Sequence, residues 1–244
     1  MFRRKKKGFR SKRKRTLGKR KKRTRRTFRR RKMNPRTALP GNSRIVKMKW
    51  VSGLSLDPTT SGFASQVYRC NDILDPDGLA GSHQPMGYNQ WNNFYNTWTV
   101  VGAKIKLSGA IFQTTAASNG LYGILLQNDA TPVATSPHTL VEQGKCPWRI
   151  IQTITNGNVP RTLTQRYSMR KWRGYATIRD NLTPENSGVF ASSGVTAAGP
   201  TFLTHFVVWA SSMDQLGSDP PAFKFMVSIE YMVLLTDPVE MAAS

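Results

Sequence analysis

Forty residues at the start of this chain cannot enter a core. Residues 1–40 hold 22 Lys and Arg and no Asp or Glu. Residues 41–50 add Arg44, Lys47 and Lys49, again without an acid. The rest, residues 51–244, hold 12 bases against all 13 acids, so the formal charge of +24 belongs almost entirely to one end. Such a chain divides into a polycationic arm, residues 1–42, and a nearly neutral domain, residues 43–244. The split disfavours a uniformly basic helical DNA binder and points to a segregated polyanion-binding tail.

The arm alternates short basic runs with single Phe, Gly, Thr and Leu. Self-repulsion and the shortage of apolar residues predict that it is disordered when free. Its candidate phosphate contacts are Arg3, Arg4, Lys5, Lys6, Lys7, Arg10, Lys12, Arg13, Lys14 and Arg15. They continue with Lys19, Arg20, Lys21, Lys22, Arg23, Arg25, Arg26, Arg29, Arg30, Arg31 and Lys32. Side chains of this density bind nucleic acid through phosphate contact and counterion release. Charges on a flexible segment read phosphates rather than base edges, so binding is expected to be largely independent of sequence. Phe2, Phe9 and Phe28 could stack on unpaired bases. The clusters Arg3–Lys7, Lys12–Arg15 and Lys19–Arg23 also have the form of nuclear-import signals. Pro35, Pro40 and Gly41 close the arm as a hinge.

About 200 residues remain for one sizeable core. Two cysteines, Cys70 and Cys146, allow one bridge at most, and reduced intracellular thiols are the simpler expectation. No apolar run approaches the ~18–20 residues of a membrane span, so no membrane insertion is expected. No apolar h-region follows the basic start, so secretion by a signal peptide is not expected.

Beyond the hinge the apolar residues recur every second position. Val46, Met48 and Trp50 alternate with Lys47 and Lys49, which predicts a half-buried strand with a basic outer face. Lys47 and Lys49 continue the arm's charge and either line the same polyanion or form an ordinary solvated face. Further strands are predicted over 61–73, 99–112, 120–127, 148–154, 161–172, 202–210 and 223–235. In the 99–112 strand, Val101, Ala103, Ile105, Leu107 and Ile111 are expected on one face, with Lys104 and Lys106 on the other. Two short helices are expected. One carries Tyr88, Trp91, Tyr95 and Trp98 on one face as core packing. The other spans 135–144 with Ser136 as cap before Pro137. Residues 173–200 read as a long surface loop. The sum is an all-β fold, a single eight-stranded antiparallel jelly roll. No internal repeat points to a propeller or solenoid.

His83 and His138 fall in polar stretches, and His205 falls in an apolar strand, as a satisfied core histidine would. Asp72, Asp75 and Asp77 cluster where Asp-Pro and Asp-Gly signal a turn, and turn chemistry explains them. No phosphate-binding loop, nucleophile elbow, zinc-ligand spacing or other catalytic constellation is present. No enzyme activity, metal or cofactor is expected.

One stretch carries a family resemblance. The run YRCNDILDPDG, followed by HQPMGYNQWNNFYNTWTVVGAKIKL, resembles capsid proteins of circovirus-like, circular Rep-encoding single-stranded DNA viruses. Their pattern is a His-x-Pro-x-Gly-aromatic turn, an aromatic-rich helix, then a Val-x-Gly strand. Here these are His83, Pro85, Gly87 and Tyr88, then Trp91 and Tyr95, then Val101, Gly102, Lys104 and Ile105. The closing EYMVLLTDP is similar to the family's final strand. The resemblance spans the whole chain in layout and about forty residues in motif. The arm's higher share of Lys departs from many circovirus arms and leaves relatives among small RNA viruses open.

The resemblance implies a homo-oligomer of sixty copies, an icosahedral T=1 shell around circular single-stranded DNA. The arm would face inward and also engage host nuclear-import receptors, placing the protein in the virion and the host nucleus. Sixty arms would carry ~1,300 positive charges, enough to offset a genome of one to two thousand phosphates. An extended arm would reach at most ~140 Å. Subunit contacts are expected from residues 75–88 and 173–200. Three other readings share parts of the pattern: a capsid protein of a small RNA virus, a ribosomal or other RNA-scaffold protein with a basic extension, and a β-sandwich enzyme tethered to nucleic acid.

Overall fold

The computed structural model describes residues 42–58, 63–79, 83–111, 119–131, 136–152, 161–174, 177–178, 182–192, 194–212 and 222–240. The arm residues Arg3 to Lys32 lie outside the described residues. Nine strands are described: β1 (Arg44–Leu56), β2 (Phe63–Arg69), β3 (Tyr95–Ile111), β4 (Asn119–Gln127), β5 (Trp148–Gln152), β6 (Arg161–Ser168), β7 (Ser187–Val189), β8 (His205–Ser212) and β9 (Phe223–Pro238). Three short helices accompany them: α1 (Tyr88–Asn92), α2 (Pro137–Glu142) and α3 (Met169–Arg173).

The strongest alternation in the sequence makes the central strand. In β9, Phe223, Phe225, Val227, Ile229, Tyr231, Val233 and Leu235 are buried, while Lys224, Met226, Glu230 and Met232 are exposed. β9 pairs antiparallel with β1 from Arg44↔Leu235 to Leu56↔Phe223, and on its other edge with β3. One sheet runs β1-β9-β3-β6, with β7 also on β3, and the second runs β2-β8-β4-β5. With the short β7 set aside, the first strand pairs with the last, the second with the next to last, and so inward to β4 with β5. This is one long hairpin of four strand pairs wrapped into two facing sheets. It is the jelly roll predicted, built of antiparallel pairs throughout.

The main core fills the space between the sheets. Trp50, Trp98, Tyr122, Phe190, Phe206, Phe223 and Tyr231 are fully enclosed there. Burying each such side chain contributes about 1.5–3 kcal/mol before entropy is counted. A smaller cluster lies elsewhere: Leu125, Leu140, Cys146, Val207 and Trp209. α2 supplies Leu140 to it, and Ser136 caps α2 by accepting from the Thr139 N–H at 3.3 Å, as predicted. Cys70 and Cys146 are both free thiols, one in each cluster, and burial pushes both thiols up in pKa.

Four expectations need correction. The ninth strand, β7, lies inside the predicted loop 173–200. It pairs with β3 from Thr97↔Val189 to Thr99↔Ser187 and seats Phe190 in the core, where it packs on Tyr88 at 5.0 Å. The aromatic stripe is not one helix: α1 ends at Asn92, and Tyr95 and Trp98 belong to β3. Residues with two χ angles and broad rings suit strands as well as helices, so a spacing of 3, 4 and 3 did not discriminate. In β3 a bulge between Val100 and Gly102 resets the alternation, so the buried residues are Trp98 and Val100, then Ala103, Ile105 and Leu107. Finally, β6 stops at Ser168 and the chain turns into α3 rather than continuing as strand to Trp172.

Two outcomes follow. A Cβ at Gly123 would sit 2.6 Å from the Trp209 indole, so Gly123→Ala is expected to lower stability by about 1–3 kcal/mol in urea unfolding. His205 is buried with its Nδ1 3.1 Å from the Asn128 carbonyl oxygen, and burial lowers its pKa below the ordinary 6.5. Burial favours its neutral form in the folded state. Its contribution is therefore complete above pH 6.5 and is lost as the pH falls through that value and below. Unfolding followed from pH 7.5 to 5 is expected to show a smaller loss in His205→Gln than in the parent.

Candidate nucleic-acid interface

The two predicted contacts that the structure describes, Lys47 and Lys49, are exposed on the outer face of β1. Strand order gives them neighbours that are remote in sequence. Lys49 is registered with Glu230, Glu230 with Lys104, and Lys104 with Arg166. This row crosses three strand spacings, about 14 Å. Lys106 stands two residues along β3 from Lys104, and Lys47 two residues along β1 from Lys49, each about 7 Å away. Glu230 is the acid within the row and separates Lys49 from Lys104. Nothing separates Lys104 from Arg166, which are directly opposed like charges and therefore disfavour the fold slightly.

The basic surface continues around the edge of the sheet. An open cleft of about 1100 Å3 is lined by Lys47, Lys104 and Arg166 and also by Lys145, Arg149 and Lys171. Of these, sequence periodicity places Lys104 on a solvent face, without a role. The residue pattern within each strand identifies an outer face. Which outer faces adjoin is decided by long-range strand order. Lys145, Arg149 and Lys171 gave no local signal, since each stands in a segment of mixed character.

The turn that carries the family resemblance has a structural job. Trp50 donates from Nε1 to the His83 carbonyl oxygen at 2.8 Å, and the His83 ring stacks on Trp50 with centroids 5.4 Å apart. The Met86 N–H donates to the Lys49 carbonyl oxygen at 3.2 Å. Gly87 has φ 91°, a left-handed conformation that favours glycine, and starts α1. The turn is thereby fastened along the edge of β1, the strand that carries Lys47 and Lys49. Tyr88 is buried, and the half-buried Trp91 packs on Phe94 and Tyr95.

The remaining chemistry-bearing residues also have structural partners. Arg69 pairs with Asp72 at 3.0 Å and with Asp75 at 3.1 Å. Asp72 accepts from the Leu74 N–H at 2.9 Å and Asp77 from the Leu79 N–H at 3.2 Å, which is turn chemistry. Burial raises the pKa of Asp72, with the Arg69 guanidinium and backbone bonds opposing it. His138 lies in α2, within the helix expected over 135–144. Among the described residues no three His, Cys, Asp or Glu side chains gather to hold a metal, and no helix is long and apolar enough to cross a membrane.

No protein-family model and no curated protein sequence matches the chain. Several solved structures are similar to it. A tobacco necrosis virus structure is 13% identical, with a TM-score of 0.46 over 83% of this chain and 86% of that one. The crystal structure of a 60-mer BFDV capsid protein is 11% identical, with a TM-score of 0.43 over 83% and 97%. A semi-empty particle of the Macrobrachium rosenbergii nodavirus is 11% identical, with a TM-score of 0.44 over 86% and 92%. At these TM-scores the superpositions are partial, and the jelly-roll assignment rests on the strand order alone.

The opposed Lys104–Arg166 pair predicts effects of opposite sign. Arg166→Gln is expected to raise thermal stability at low salt by about 0.2–1 kcal/mol. The gain should vanish near 1 M salt, where charges are screened within about 3 Å. The same variant should bind polynucleotide less tightly at low salt.

Proposed function

We propose that the chain is a viral capsid protein, in which the jelly-roll domain self-assembles into a small icosahedral shell and the basic arm packages single-stranded circular DNA. The observation that carries this reading is a polycationic arm joined covalently to a near-neutral jelly roll that begins with β1. A polyanion is needed to offset the arm. A neutral domain can pack against copies of itself without the repulsion that a uniformly basic domain would suffer. The same neutrality counts against a ribosomal scaffold protein, which would present a basic surface over most of its domain. In this reading residues 1–42 are the arm and residues 43–244 the shell domain. Arg3 to Lys32, with Lys47 and Lys49, contact the genome, and the basic clusters engage import receptors of the host. The choice of DNA rests on the motif resemblance in residues 83–107. The protein then acts as a structural component of the virion, without catalysis.

The full chain, expressed and purified, is expected to carry nuclease-protected nucleic acid with a raised ratio of absorbance at 260 to 280 nm. Removing residues 1–40 should bring that ratio down to the value of protein alone. Particles recovered from infected or replicon-bearing cells should yield material that is degraded by DNase and not by RNase once released. RNase-sensitive contents would move the chain to an RNA virus. A tethered arm that binds nucleic acid without any protection from nuclease would contradict the shell reading.

A further inference from the structure

An open cleft lies at the edge of the basic sheet. It lies where β6, the edge of one sheet, approaches β5, the edge of the other. Lys104, Lys145, Arg149, Arg166 and Lys171 reach it from β3, from the segment before β5, and from β5, β6 and α3. The acid in its lining is Glu230. Residues 51–244 carry about as many acids as bases, so this concentration of cations is a property of placement rather than of composition. Among the described residues the ion pairs both use Arg69, and none uses a cation of the cleft.

The walls are held in place. Gln165 donates from Nε2 to the Lys145 carbonyl oxygen at 2.7 Å, tying β6 to the segment before β5. Trp172 donates from Nε1 to Asn128 Oδ1 at 2.6 Å, and the Lys145 ammonium sits 3.9 Å from the centre of the Trp172 ring. Cations on tied walls, with Lys104 and Arg166 directly opposed, form a site that an anion would relieve. Trp148 and Met232, both exposed, supply an apolar part of the lining, which an anion alone would not need.

We propose that this cleft seats a short unpaired stretch of nucleic acid, with phosphates on the cations and bases against the apolar lining, independently of the arm. The inference extends the reading of the chain as a carrier of a single-stranded genome and rests on it. A concavity of about 1100 Å3 is close to the size of a small-ligand pocket, which suits a few nucleotides of a single strand. Cations beside an exposed aromatic ring, Trp148, fit a polymer with one charge and one ring per unit better than an acidic peptide.

The test is photo-crosslinking of the full chain to an oligothymidylate containing 4-thiothymidine, with crosslinked peptides identified by mass spectrometry. Crosslinks are expected in residues 145–149 and 164–172 in addition to the arm. In the double variant Arg149→Gln and Arg166→Gln the cleft crosslinks should fall at least about five-fold, while those of the arm persist. The single variant Lys171→Gln, on an exposed helix position, serves if the double variant does not fold. Crosslinks confined to the arm, or cleft crosslinks indifferent to these substitutions, overturn the proposal. So does equal displacement by polyglutamate at matched charge, which would make the cleft a seat for acidic peptides. Filled particles without cleft crosslinks would remove this inference and leave the capsid reading standing. Cleft crosslinks in a chain that never assembles would support the cleft and remove the capsid reading.

Discussion

The fold depends on the pairing of its first strand with its last. β1 and β9 run antiparallel over thirteen residues, and β9 then serves β3 on its other edge. β9 carries the longest row of apolar side chains, which it buries against the facing sheet with β1 and β3 flanking it. Trp50 and Met48 from β1 meet the same core as Phe225, Ile229 and Tyr231 from β9. Every inner strand pair is then nested within this outer one. The cost is a late, long-range closure, which in folds of this topology makes assembly of the domain slow relative to helical proteins.

The same pairing builds the charged surface. Because the pleat alternates, burying Val46, Met48 and Trp50 obliges Lys47 and Lys49 to face outward. Burying Ile105 and Leu107 does the same for Lys104 and Lys106, with a bulge at Val100–Gly102 setting the phase. The register across β1, β9, β3 and β6 then aligns Lys49 and Lys104 into one row with Glu230 and Arg166. Core packing and the cationic face are therefore two readings of one pattern, and a slip of one residue in any of these strands would exchange them. In the functional reading, the arm supplies bulk neutralisation and this face supplies fixed contacts next to the point where the arm joins.

Legibility in the sequence followed the range of the interaction that decides each feature. β9 and the start of β1 could be read residue by residue, because each buries one face and alternation is a local signal. The Ser136 cap and Pro137 were legible for the same reason. β7 was not, since three residues rich in Ser and Gly become a strand only where the Thr97–Thr99 edge of β3 offers them partners. The aromatic run was misplaced past Asn92 because a spacing of three and four does not tell a helix from a strand that begins with aromatics. At the interface, Lys47 and Lys49 were singled out by their nearness to the arm. Lys104, Arg149 and Arg166 join them through strand order, which no local window contains.

The central claim is that this domain closes into a shell around nucleic acid. Electron microscopy of the purified full chain, beside a chain without residues 1–40, tests it most directly. The account predicts uniform closed particles from the full chain, filled with nucleic acid. It predicts empty or unassembled protein when the arm is absent. A full chain that stays monomeric, with nucleic acid bound and no particles at any salt concentration, would contradict it.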